Sequence, residues 1–115
     1  MNYELKKIND VSIFKLNEKR LDKSISGLLK GEFTIILHAE DVKKLVIDLS
    51  EVDSCDSSGL SAILLAYRIM QSSQGALRLA ALTKNVIKLI EISQLNRALP
   101  VCNTVNEAIA ELDKL

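Results

Sequence analysis

Five consecutive residues, Leu45-Val46-Ile47-Asp48-Leu49, place the tightest constraint on what this chain can fold into. A short, nearly continuous apolar run of this kind reads as an interior strand covered on both faces. Downstream, the apolar residues between Leu60 and Met70 recur at helical spacing, which predicts a helix from about Ser58 to Ser73. An interior strand that hands over to an apolar helix points to an α/β layer structure.

The flanking segments extend that pattern. Tyr3 to Ile8 and Val11 to Leu16 read as strands joined by Asn9-Asp10, a credible tight turn. Asp22 is placed to cap a helix from Lys23 to His38, with Ile25, Leu28, Leu29, Phe33, Ile36 and Leu37 as its apolar stripe. Gly31 falls inside it, and Thr34 to Ile36 reads equally well as strand. After Gly75, Leu77 to Ala81 is a further strand; Asn85 to Ser93 is a short helix with Val86, Leu89 and Ile90 inward. Leu99 to Cys102 is a last short strand, which Pro100 assigns to an edge. Thr104-Val105-Asn106-Glu107 is a capping box, opening a helix that turns Ala108, Ile109 and Leu112 inward. The fold expected is α/β: a mixed sheet of four to five strands with about four helices packed on it. Residues 1–115 read as a single domain, without repeats or a Pro- or Gly-rich linker.

Composition narrows the function classes. Aromatics are 3% and tryptophan is absent, so base stacking on aromatic platforms is disfavoured. Fifteen basic residues balance fifteen acidic ones and are scattered, which argues against a nucleic-acid footprint. No apolar run reaches the length of a bilayer span, and the start of the chain has no apolar leader. A cytoplasmic protein with no direct membrane insertion is the expectation. His38 is the lone histidine, and Cys55 and Cys102 lack metal-ligand spacing. No metal, no cofactor and no catalytic residue is therefore expected; the two thiols read as reduced and mostly buried.

Attention falls on Asp56-Ser57-Ser58-Gly59-Leu60, at the junction between the interior strand and the helix after it. Serine hydroxyls there stand near the open amides of a helix N-terminus, a natural anion site. Ser57 and Ser58 read as N-caps on base rate, and also as places where a phosphate would change the charge of one face without touching the core. Asp22 reads as a cap or as part of a partner surface. Asp56 either satisfies loop amides or meets a group on a partner.

Taken in order, these segments resemble the STAS domain family, most closely its free-standing bacterial anti-sigma factor antagonists. Arg20-Leu21-Asp22 stands where the family often has Gly-x-Leu-Asp. Leu45 to Ser50 is similar to its third strand, and Val52 with Asp56 to Leu60 to its signature loop and helix start. Gly75 with Leu77 to Ala80 is similar to its fourth strand, and Glu107-Ala108 with Leu112 to its closing helix. The chain departs from the family by lacking a glycine before Leu21 and by carrying Ser54-Cys55 before Asp56.

The resemblance implies a non-enzymatic partner switch with Ser58 as phosphoacceptor. A partner that is both anti-sigma factor and serine kinase binds the unphosphorylated form and releases the phosphorylated one. A serine phosphatase resets the switch. Asp22, Asp56, Ser57, Gly59 and Leu60 are the residues implied in partner binding. Oligomeric state is not fixed. A second function in the same fold is the STAS subunit of a membrane transport system, such as a lipid-trafficking ABC transporter. A third is a small-molecule or nucleotide sensor, although no Walker-type phosphate loop is present. The helix after Ser58 bears on the choice. Its apolar residues extend beyond one core face to Leu65 and Ile69, either because neighbours cover it or because it offers a docking patch.

Overall fold

The computed structural model describes all residues, Met1–Leu115. The chain starts with strand β1 (Tyr3–Ile8) and β2 (Val11–Leu16), an antiparallel hairpin that pairs Ile8 with Val11 across Asn9-Asp10. Asn9 takes the left-handed backbone (φ 57°), a conformation asparagine tolerates. Then follow β3 (Arg20–Leu21), α1 (Lys23–Ala39), β4 (Lys44–Asp48), β5 (Ser54–Cys55) and α2 (Ser57–Ser72). The remainder is β6 (Ala76–Ala80), α3 (Lys84–Ile92), a 3₁₀ turn (Leu95–Arg97), β7 (Val101–Cys102) and α4 (Val105–Asp113).

Five strands form a mixed sheet in the order β1-β2-β4-β6-β7, with only the β1–β2 pair antiparallel. β4 is central and every residue from Leu45 to Asp48 is buried, as its apolar run requires. Alternation divides the core in two. Phe14, Leu16, Leu45, Ile47, Leu77 and Leu79 point to the side covered by α1, α2 and α3. Val11, Ile13, Val46 and Ala80 point to the other side, where Ala108 and Leu112 of α4 close a smaller cluster.

On α1 the buried positions are Leu29, Phe33 and Leu37, and Phe33 packs its ring 4.9 Å from that of Phe14. Thr34 to Ile36 is helical. Leu28, expected in the stripe, is 60% exposed. It lies about 100° around the helix from Leu29, beyond the reach of the sheet. The capping box forms as expected: Thr104 Oγ1 accepts from the Glu107 amide at 3.1 Å.

Two elements escaped the sequence reading. β3 and β5 are two-residue strands paired in parallel, Arg20 with Ser54 and Leu21 with Cys55. They zip together the segments that follow β2 and β4. The Lys19 carbonyl accepts from the amides of Asp53 (2.8 Å) and Ser54 (3.2 Å), and the Leu21 carbonyl accepts from Asp56 (3.2 Å). Helices α1 and α2 therefore start side by side, each capped by an aspartate. Asp22 Oδ1 accepts from the Ser24 amide (2.9 Å) and hydroxyl (2.5 Å); Asp56 Oδ1 accepts from the Gly59 amide (2.9 Å).

The closeness of this junction explains Gly59. A Cβ at that position would stand 2.1 Å from the Leu21 carbonyl oxygen, a backbone atom held by its own bond to Asp56. Gly31, by contrast, has nothing within 4 Å of such a Cβ. Gly59→Ala is accordingly expected to destabilise by about 1–3 kcal/mol, the usual range for overpacking. Gly31→Ala is expected to stabilise by up to about 1 kcal/mol through helix propensity. Urea unfolding of both variants checks the opposite signs.

Three carboxylates are held below their ordinary pKa: Asp10 by Lys44, Asp22 by the Ser24 hydroxyl and amide, and Glu111 by Arg78. In the window between folded and ordinary values the unfolded chain binds more protons, so stability rises with pH there. Their contribution is fully present above the ordinary values, 3.8 for Asp and 4.5 for Glu, and is lost as pH falls through the folded ones. Tm measured from pH 7 down to pH 2 should stay level and then drop once below about 4.5. Asp22→Asn should flatten part of that drop; a Tm that rises on acidification would contradict the assignment.

Candidate functional site

The two helix starts form one face at the end of the sheet. Ser57 is the first residue of α2 and is exposed; Ser58 is the second and is half-buried. Neither serine is the cap, contrary to the base-rate reading, because Asp56 takes that position and bonds the third amide of the helix. Asp56 performs the local role weighed for it.

Three consequences follow for chemistry at Ser58. Its hydroxyl is not consumed by capping, and it is not sealed in the interior, since every enclosed side-chain polar atom has a partner. The first bond of α2 runs from the Leu60 amide to the Asp56 carbonyl, and Asp56 Oδ1 takes the Gly59 amide. That leaves the amides of Ser57 and Ser58 open, the position where a helix receives an anion. The surrounding loops carry mixed charge, Asp22, Asp53 and Asp56 with Lys19, Arg20 and Lys23, and Arg20 and Lys23 act on Asp22.

Of the residues implied in partner binding, Asp22, Asp56 and Ser57 lie on this face with their side chains accessible. Gly59 and Leu60 are buried, Leu60 within the main core. Gly59 shapes the face through the close approach of Leu21, and Leu60 anchors α2 beneath it. Leu21 and Cys55, which the sequence marks through the family resemblance but not as site residues, bring the two loops together. Thr83 and Asn85 at the start of α3 brace the same loop from the other side, by bonds to the carbonyls of Val52 (2.6 Å) and Asp53 (3.1 Å). The bracing roles of these four depend on long-range pairing, which no local signal reveals.

Cys55 lies at the edge of the face, and burial followed by the Asp56 charge pushes its thiol up to about 12. Burial, followed by its hydrogen bond to Glu111, raises Cys102 to about 11. Both remain thiols at neutral pH, which removes the thiolate that nucleophilic or redox chemistry requires. The extra apolar residues of α2 divide between the core and the surface. Leu65 and Ile69 are both partly buried, and Ile69 packs against the core. Ile69 is thus covered by the core, while Leu65 keeps part of its surface open. No helix is long and apolar enough to cross a membrane.

Comparison with known proteins places this geometry. Among curated relatives is the "Anti-sigma F factor antagonist" of Paenibacillus polymyxa, 24% identical over 93 residues, 81% of this chain and 80% of the relative. An anti-sigma factor antagonist from Mycobacterium paratuberculosis superimposes with a TM-score of 0.86 over 97% of this chain and 93% of its own, at 20% identity. The Bacillus cell fate determinant SpoIIAA in its phosphorylated form does so with a TM-score of 0.72 over 96% and 98%, at 18% identity. The family model for the STAS domain matches residues 2–108. The chain therefore belongs to the STAS domain family.

Proposed function

We propose that this protein is an anti-sigma factor antagonist, a partner-switching regulator of transcription without catalytic activity. In its unphosphorylated form it binds an anti-sigma factor that is also a serine kinase, and phosphorylation of Ser58 releases it. A serine phosphatase restores the binding form, and the cycle runs in the cytoplasm. The observation that carries this reading is the state of Ser58. Its hydroxyl is spared from capping by Asp56 and is accessible at the second position of α2.

Physical chemistry supports a switch at that position. A phosphoserine adds about −1.5 to −2 charges at neutral pH. The helix dipole and the open amides of Ser57 and Ser58 favour such a charge. The carboxylate of Asp56 opposes it. With the two influences in competition, the principal effect falls on the docking face, where a desolvated extra charge is costly.

Pull-down from native lysate with wild type, Ser58→Ala and Ser58→Asp as baits tests the reading. Wild type and Ser58→Ala should retain a kinase-type ATPase that Ser58→Asp loses. Incubation of that ATPase with ATP should phosphorylate wild type and not Ser58→Ala. Retention of the same transporter ATPase by all three baits would contradict the proposal and favour a transport subunit.

A further inference from the structure

Strand β1 occupies one edge of the sheet, with β2 on one side and nothing on the other. It is six residues long, lacks proline, and exposes Leu5 (41%) and Ile8 (40%). An edge of this length is a template for another strand unless it is blocked. Lys6 and Lys7 are the residue types that usually block one. Neither forms an ion pair within the chain, where the four salt bridges use Lys15, Lys43, Lys44 and Arg78.

The backbone determines which residues of β1 are free to pair. In a two-residue hairpin the residues flanking the turn, here Ile8 and Val11, are hydrogen-bonded to each other. Hydrogen-bonded and non-bonded pairs then alternate, so Glu4, Lys6 and Ile8 spend their backbone groups on β2. The Asn2 carbonyl continues the series, accepting from the Asn17 amide at 2.9 Å. Tyr3, Leu5 and Lys7 therefore aim their N–H and C=O groups outward.

We propose that β1 pairs antiparallel with β1 of a second copy of this chain, about a two-fold axis at Leu5. A two-fold axis perpendicular to the sheet keeps each face of one copy level with the same face of the other. It therefore joins only residues of equal parity. Centring on Leu5 sets Leu5 against Leu5 of the other copy and Tyr3 against Lys7, and all of these carry outward backbone groups. The same register sets Glu4 against Lys6 on the face covered by α4, as two symmetry-related opposite-charge pairs. Opposite-charge pairs of this kind stabilise a sheet and like charges destabilise it. Shifting the centre by one residue either way fails on charge. Centring on Glu4 would set Glu4 against Glu4, and centring on Lys6 would set Lys6 against Lys6, like charges directly opposite. Among centres in the middle of β1, charge therefore selects Leu5, the register in which Lys6 of each copy complements Glu4 of the other. No residue of the Ser58 face is used.

Sedimentation equilibrium of the full chain tests this with a charge-swap series: wild type, Glu4→Lys, Lys6→Glu, and the double variant carrying both changes. The proposal expects a dimer for wild type, at least a tenfold weaker association for each single variant, and recovery in the double variant. Circular dichroism of each variant confirms that the monomer fold is kept. A monomeric wild type across the accessible concentration range would overturn the proposal. So would single variants that dimerise as tightly as wild type, or a double variant that stays monomeric while folded.

Discussion

The contact between the Leu21 carbonyl and the start of α2 holds the candidate face together. Leu21 belongs to a strand of two residues, too short to persist alone. It is held because its carbonyl accepts from Asp56 while Gly59 passes beneath it with no side chain to obstruct. From this contact the positions of both helix starts follow. Asp22 comes directly after Leu21 and caps α1; Asp56 comes directly after Cys55 and caps α2. The interior strand β4 and the helices on either side of the sheet provide the core, but this junction decides what the core presents at its end.

A division of labour among neighbouring residues then gives the face its chemistry. Asp56 satisfies the third amide of α2, so the serines are not needed as caps. The first two amides stay open and the Ser58 hydroxyl stays uncommitted. Cys55 is kept as a neutral thiol by burial and by the Asp56 charge, so it does not compete as a nucleophile. The face carries charge on short loops tied together by backbone bonds.

Much of this was legible in the sequence because it depends on neighbours along the chain. Asn9-Asp10 as a turn, Asp22 as a cap, Thr104 to Glu107 as a capping box and Leu45 to Leu49 as a buried strand are local signals. The STAS resemblance likewise rests on contiguous segments, above all Leu45 to Ser50 and Asp56 to Leu60. The pairing of β3 with β5 was not legible, because Arg20-Leu21 and Ser54-Cys55 have no period and meet only when the sheet assembles. The necessity of Gly59 depends on that pairing and was hidden with it. Leu28 falls outside the stripe that the core uses, in which Leu29, Phe33 and Leu37 are buried and Ile25 and Ile36 pack at the margin. The serines were read as caps because Ser and Asp are both favoured there, and only the backbone path decides between Asp56 and its successors.

The central claim is that a phosphate on Ser58 changes a face while leaving the scaffold in place. Amide ¹H–¹⁵N spectra of the chain with unmodified and with phosphorylated Ser58 test it most directly. The account predicts shifts confined to Cys55 through Leu60, with smaller ones at Leu21 to Ser24, while β4, β6 and α4 keep their positions and exchange protection. Shifts spread through both sides of the sheet, or loss of protection in β4, would show that phosphorylation acts by unfolding the domain and would contradict it.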